Sequence, residues 1–411
     1  MLACASFFAG VGGIDLGFEQ AGFDVVYANE FCEKASITFK QNHGVELDTR
    51  DIRDVPSTEI PDFDVMLAGF PCQAFSVAGY RQGFEDEKGR GNLYFELERI
   101  MKDKRPSIVF LENVKNLVGH DRGRTFRIIR SSMEDMGYKI HHKVMNACDY
   151  GDIPQNRERI YVVGFLDDGM SECFRFPDEI PLETTIGDVF DFEGRVDDRY
   201  YYGEDTYMYK DLKREMTSTE TVYQWRRKYV RENKSSLCPT LTANMGTGGH
   251  NVPLIKTQHG FRKLTPKECF MIQGFDRTFV LPENVANSHL YKQAGNSVVV
   301  PVIRRIANSI ISAINLEHPV AIGGSKCKKY VIRPLQKEEL EKFFDSTAKK
   351  TIQFFISKAL FAQPELVEGQ SNLPIHIPKE HIEQWIVQAL NVAPVGAGNY
   401  AIDVVKKTEP K

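Results

Sequence analysis

No Cys-x-x-Cys pair and no Cys/His ligand spacing occurs among the eight cysteines of this 411-residue chain. That scarcity excludes structural zinc and a disulfide framework, predicts no metal site, and points to a reducing, cytoplasmic compartment. No apolar run reads as long enough to span a bilayer, and no basic segment followed by a cleavable apolar stretch opens the chain, so no membrane association is expected. Global basicity is missing as well. Fifty-two lysines and arginines stand against 56 acids, a net charge of −4, so composition alone does not announce nucleic acid. The apolar and charged fractions are those of a globular protein, and the length calls for more than one core.

Charge is nevertheless unevenly placed. Residues 188–205 are acidic, whereas 210–234 carry Lys213, Arg214, Arg226, Arg227, Lys228 and Arg231 with Tyr223, Trp225 and Tyr229 between them. Such a stretch either neutralises phosphates and stacks on bases or forms a solvated surface helix.

What is present in the first 165 residues is alternation. Short apolar runs at 2–8, 25–28, 65–68, 108–111 and 159–165 are separated by helix-like segments at 14–21, 33–41, 92–102 and 125–136. This predicts a doubly wound α/β sheet with ligands at the strand C-terminal ends. Residues 138–146 and 160–164 suit an antiparallel hairpin at one edge. Regularity lapses from 167 to 262, a loop-rich second domain. Helical patterning returns at 265–272, where Thr265-Pro266-Lys267-Glu268 makes a capped start, and again at 298–314. The expected division is 1–166, 167–262, a return segment 263–317, and an extension 318–411 read as helical at 335–360 with one strand near 396–405.

Five strand ends carry chemistry. Phe8-Ala9-Gly10-Val11-Gly12-Gly13-Ile14 follows the first strand, its glycines allowing close backbone approach to a ligand at a helix start. A dinucleotide fingerprint needs a third glycine where this chain has Asp15, which disfavours a nicotinamide and leaves another nucleoside open. Glu30 closes the second strand, suited to ribose hydroxyls, and Asp51-Ile52 follows a third, suited to an adenine amino group. Cys72 lies in Gly69-Phe70-Pro71-Cys72-Gln73, presented by a Gly/Pro loop after the strand at 65–68. Glu112 sits just past the next strand, a Cys/Glu pairing that suits covalent attack with acid assistance. Arg157 and Arg159, two apart, share a strand face. They either clamp an oxyanion, carbonyl or phosphate or form surface ion pairs.

The order Phe-x-Gly-x-Gly-Gly, Pro71-Cys72-Gln73, Glu112-Asn113-Val114, Gln155-x-Arg157-x-Arg159, Arg262-Lys263-Leu264-Thr265 through Gln273-Gly274-Phe275, and Gly295-Asn296-Ser297-Val298 resembles that of the DNA (cytosine-5)-methyltransferases, over residues 2–315. The resemblance implies a Rossmann-like S-adenosylmethionine-dependent domain and methyl transfer to C5 of a cytosine flipped out of duplex DNA. It makes Cys72 the nucleophile at C6, with Gln73 beside it. Glu112 becomes the group at N3, Arg159 the ligand of O2, and Arg157 the support of the catalytic loop. For S-adenosylmethionine it implies Phe8, Gly10, Gly12, Gly13, Ile14, Glu30, Asp51, Ile52, Pro71, Asn296, Ser297 and Val298. The glycine-bearing loop 73–91, with Ser76 and Arg81, would close over the base. Residues 167–262 become a target-recognition region with Arg226, Arg227, Lys228, Thr240, Thr242, Asn244 and Gly246 toward DNA. A monomer with a cognate restriction endonuclease in the same system is expected. Two rivals stand beside this reading, a transfer-RNA cytosine methyltransferase and a non-catalytic DNA-binding module. The extension beyond 320 departs from the pattern, either a plain appendage or the opening of a nuclease half.

Overall fold

Val65-Met66-Leu67-Ala68 is apolar at every position, the mark of a strand buried on both faces. In the computed structural model of the chain that strand, β4 (Val65–Ala68), lies at the centre of a seven-stranded sheet. The structure describes residues 2–71, 93–226, 228–247 and 251–317, and beyond them the backbone of short strands between 328 and 404. By contacts the chain divides into two units, residues 1–168 with 179–305, and 169–178 with 306–411.

Around β4 run β1 (Ala3–Phe7), β2 (Asp24–Asn29), β3 (Leu47–Asp48), β5 (Ile108–Val114), β6 (Lys139–Asn146) and β8 (Glu158–Phe165), in the order β3-β2-β1-β4-β5-β8-β6, while the short strands β7 (Gln155–Asn156) and β11 (Cys238–Pro239) pair with each other. The five strands from β3 to β5 are parallel, while β8 is antiparallel to both β5 and β6. The expected edge hairpin is therefore present. Strand order reverses between β1 and β4, which opens a crevice at their C-terminal ends.

One sheet face, with Phe7, Met66, Val109 and Val162, packs on α3 (Leu93–Lys104) and α4 (Arg124–Asp135) through Leu97, Ile100, Ile129 and Met133. The other receives α1 (Gly13–Glu19), whose Phe18 meets Phe110 edge-on at 5.1 Å, and beyond β2 the helix α2 (Glu33–Asn42). Each fully buried side chain of this kind contributes roughly 1.5–3 kcal/mol.

The region after residue 167, expected to be a loop-rich second domain, holds a second small sheet. Strands β9 (Tyr223–Arg226), β10 (Tyr229–Glu232), β12 (Leu254–Thr257) and β13 (Gly260–Lys263) pair antiparallel in the order β10-β9-β12-β13. Helix α5 (Tyr209–Glu215) packs on it through Leu212, with Met208, Met216, Tyr223, Trp225 and Val230 forming the core. The basic stretch is thus part surface helix, with Lys213 and Arg214 exposed on α5, and part hairpin, and two of its aromatics are core. Tyr223 and Trp225 are buried, which removes them from base stacking, whereas Tyr229 is exposed.

The return segment starts as its sequence predicts. Thr265 caps α6 (Pro266–Met271) in a reciprocal box with Glu268, and Glu268 also takes a buried two-pronged bond from Arg262 at 2.8 and 2.7 Å. Helices α7 (Asn287–Asn296) and α8 (Val300–Glu317) follow. Against the expectation of no bilayer-length run, Asn287–Asn315 is long and apolar enough by length and composition to cross a membrane. Its most apolar window is 61% buried inside the protein, as a core helix would be, so the reading goes to packing. In the extension the described backbone is strand. Segments Thr351–Ile352, Phe355–Ser357 and Leu360–Leu366 stand where helix was expected, and Tyr400–Val404 is the one expected strand. The β-branched and aromatic residues at 351–356 favour that outcome.

Candidate active site

The crevice is built from the ends of β1, β2, β4 and β5. After β1 the backbone turns through left-handed conformations at Phe8 (φ 56°), Gly10 (φ 62°) and Gly12 (φ 82°). Phe8 is the notable one, since a non-glycine residue there stores strain that tends to mark functional loops. The turn is held by Glu30, whose carboxylate accepts from the Gly10 amide at 2.9 Å and the Cys32 amide at 2.8 Å. Burial raises the Glu30 pKa against those two amides. A Cβ on Gly10 would meet nothing within 4 Å, so open space lies over it.

Gly13 is small for a different reason. A Cβ there would fall 2.7 Å from Ser297 Oγ, 3.0 Å from Val298 and 3.1 Å from Phe275. The Gly-rich loop and the far-sequence Gln273-Gly274-Phe275 and Ser297-Val298 segments are therefore brought together, with Ile14, Ser297 and Val298 buried and Asn296 exposed. Asn29 donates to the carbonyls of Asp48 at 3.2 Å and Arg50 at 2.9 Å, tying β2 to the loop that carries Asp51 and the buried Ile52. Asp51 caps the following turn and pairs with Arg53 at 2.6 Å, so its carboxylate is already committed. The motif reading missed Phe31, 62% exposed beside Glu30. An apolar ring left in the open at a strand end was the available signal.

Cys72, Gln73, Ser76, Arg81 and Arg227 lie outside the described residues. The chain leading to Cys72 is nonetheless fixed. Asn113 donates to the Phe70 carbonyl at 2.8 Å, and a Cβ on Gly69 would lie 3.7 Å from Glu112 Oε2. Pro71 is exposed at the edge of this arrangement. Glu112 and Arg159 form a close ion pair, Nε to Oε1 3.1 Å, with side chains 11% and 13% exposed. Burial pushes the Glu112 carboxyl up from its usual range, opposed by Arg159 and then Arg157. A carboxyl so placed holds its proton to higher pH than a free one.

Arg157 takes a different part from its neighbour. It is fully buried and donates to the carbonyls of Leu241 at 2.8 Å, Gly295 at 3.1 Å and Ser297. Burial, then the like charge of Arg159, lowers its pKa to about 9. Of the two open readings of the arginine pair, Arg159 faces the site and Arg157 binds three backbone carbonyls from distant segments. Gln155 extends this buried join, donating to the Ile272 carbonyl at 2.7 Å, while Gln273 donates to the Ala294 carbonyl at 2.7 Å.

Of the residues expected toward DNA, Arg226, Thr240, Thr242 and Asn244 line one polar groove. Arg226 and Lys228 are exposed on the β9–β10 hairpin. Thr240 is exposed and donates to the Asn156 carbonyl at 2.5 Å. Thr242 and Asn244 are exposed in the turn Ala243–Gly246, which packs so closely on α7 that a Cβ on Gly246 would meet the Ser288 carbonyl at 2.4 Å. Gly246 is thus a packing residue in this structure.

A profile of C-5 cytosine-specific DNA methylases matches residues 2–312. The chain belongs to that family. It is a DNA (cytosine-5)-methyltransferase, and its curated relatives are type II modification enzymes. It is similar to the type II methyltransferase M.Bsp6I of Bacillus sp. (strain RFL6), 60% identical over 76% of this chain and 100% of that protein. It is also similar to M.HhaI of Haemophilus parahaemolyticus, 38% identical over 75% of this chain and 94% of the relative. The fold matches the crystal structure of a Spodoptera frugiperda DNMT2 mutant with a TM-score of 0.60 at 17% identity, covering 75% of this chain and 99% of that one.

Proposed function

We propose that the enzyme methylates C5 of a cytosine flipped out of a specific duplex DNA sequence, through a covalent Cys72–C6 adduct and with S-adenosylmethionine as methyl donor. The observation that carries the reading is the buried Glu112–Arg159 pair beside the strand end leading into Cys72. Glu112, its pKa raised by burial, donates a proton to cytosine N3, and Arg159 takes the O2 carbonyl. Withdrawal of electrons from the ring makes C6 open to the Cys72 thiolate, and the resulting enamine makes C5 nucleophilic. Once C5 has taken the methyl group, loss of the C5 proton re-forms the C5–C6 double bond as the Cys72–C6 bond breaks, and N3 returns its proton to Glu112. C6 is out of reach inside a stacked duplex, so the base must be extruded at a cost of a few kcal/mol.

The crevice suits the donor. Open space over Gly10, an acidic group at Glu30 and the exposed Phe31 ring fit a methionine end, a ribose and an adenine in that order. Because Asp51 is committed to Arg53, it fits the adenine only if that pair opens, whereas the Ile52 backbone is held by the turn. Bound there, S-adenosylmethionine supplies an electrophilic methyl group. One sheet before residue 167 and another within 167–262 support a division into a catalytic part, a recognition part at 167–262 and a return segment at 263–317. The type II relatives suggest a partner restriction endonuclease, against which this methylation would protect.

The test is trapping. A duplex carrying 5-fluorocytosine at the target position should give a denaturation-resistant protein–DNA species with the wild type and none with Cys72→Ala. An equal yield from the variant would exclude Cys72 as nucleophile.

A further inference from the structure

Two grooves flank the small sheet, and their linings separate them. The larger, about 1500 Å³, carries six carboxylates, among them Asp188, Asp191 and Glu193, against Lys267 and Arg277, an acidic excess that disfavours a phosphate backbone. The smaller, about 370 Å³, is lined without any carboxylate among the described residues. Gln224, Arg226, Arg231, Asn233, Asn244 and Asn251 supply its polar groups.

The hairpin register explains how these arise. Tyr223 and Trp225 turn into the core, so Gln224 and Arg226 project from the opposite face of β9. Arg231 stands directly across from Gln224 in the antiparallel pair and therefore shares that face. Arg226 makes one bond, to Gln224 at 3.1 Å. Arg231 has no hydrogen-bond or ion-pair partner among the described residues. Exposed arginines elsewhere in the same region, Arg195, Arg199 and Arg214, are each paired with an acid. One guanidinium fork without a partner among the described residues and one bonded only to Gln224 lie on a hairpin that pairs with the rest of its sheet at Tyr223. Beside amides they match the donor pattern that reads guanine O6 and N7, and a two-stranded ribbon fits the major groove.

Building on the methyltransferase reading above, we propose that Arg226 and Arg231 set sequence specificity by bonding the major-groove edges of guanines in the recognition site, with Gln224 positioning Arg226. The target sequence then contains guanine besides the one paired to the methylated cytosine. Discrimination at such a position should be roughly 10- to 100-fold per arginine.

Bisulfite sequencing of DNA treated with the wild type, with Arg231→Ala and with Arg226→Ala decides this. The expected result is a wild-type motif with additional guanine, and variants that each accept other bases at one such position. The wild type should also lose about 10- to 100-fold in rate when 7-deazaguanine replaces that guanine. A motif lacking additional guanine overturns the proposal. So does a variant that keeps the full motif while losing rate uniformly and showing a shallower salt dependence, because that behaviour belongs to a phosphate contact. Unaltered S-adenosylmethionine binding, measured by calorimetry, verifies that each variant is folded. A wild type that methylates no DNA cytosine would instead remove the underlying methyltransferase reading.

Discussion

The pocket under β5 and the hairpin face of the small sheet use charged groups in opposite ways. Glu112 and Arg157 are buried and Arg159 is partly buried, and each bonds to another strand or segment of the protein. Gln224, Arg226 and Arg231 are solvent-facing, and their donors are committed to little beyond one another. Preorganised charge suits a reaction whose developing charges fall at fixed atoms. Uncommitted charge suits a partner that brings its own acceptors, since a fork already paired to a carboxylate has to be freed first. The same residue type thus serves geometry in one place and recognition in another.

The largest expected effect falls on the pocket. Glu112→Gln should lower kcat by about 10²- to 10⁴-fold in a tritiated-methyl assay, the span general acid catalysis contributes. Substrate binding should change far less. The sign of the pH dependence follows from the raised Glu112 pKa. Protonated Glu112 is the active form, so rate contributed by this group is present below its pKa and lost as pH rises through it. In the glutamine variant that limb should vanish. A variant that retained both rate and limb would show the pocket's charge to be structural.

The two regions were also unequally legible in the sequence. At the pocket the signals were local: an apolar run, then a loop, then the reactive residue. The doubly wound sheet and the ends of β1, β2, β4 and β5 therefore followed, as did the α6 capping box, whereas the strand order did not. What did not follow was long-range. That Arg157 would bind the carbonyls of Leu241, Gly295 and Ser297 depends on chain folding back across more than 80 residues. Nothing near Arg157 encodes it. In the small sheet the information was present but read with the wrong period. Tyr223-Gln224-Trp225-Arg226 alternates apolar and polar, a period of two that marks a half-buried strand, and counting charges and aromatics together hid it. The strands at 351–357 carried a β-branched and aromatic signal of their own.

That alternation makes a prediction along a single strand. Trp225, 6% exposed in the core with Leu212, Tyr223 and Val230, should cost about 3–5 kcal/mol when changed to alanine, by urea unfolding. Part of that loss comes from the ring contact with Tyr207 at 5.8 Å. A cost below about 1 kcal/mol would mean that the small sheet is not held by this cluster.

Arg226, the next residue along, should show the smallest effect of all on stability. Its guanidinium contacts one side-chain oxygen and otherwise meets solvent, so Arg226→Ala should change unfolding free energy by no more than about 0.5 kcal/mol. The two neighbours would then differ several-fold in what they do for the fold, and in the opposite sense for DNA. If Arg226→Ala instead destabilised as Trp225→Ala does, the hairpin face would be part of the scaffold. Its conformation would then answer to folding rather than to the sequence of the bound duplex, and the contrast between a committed pocket and an uncommitted reading face would fail at the residue where it is drawn most sharply.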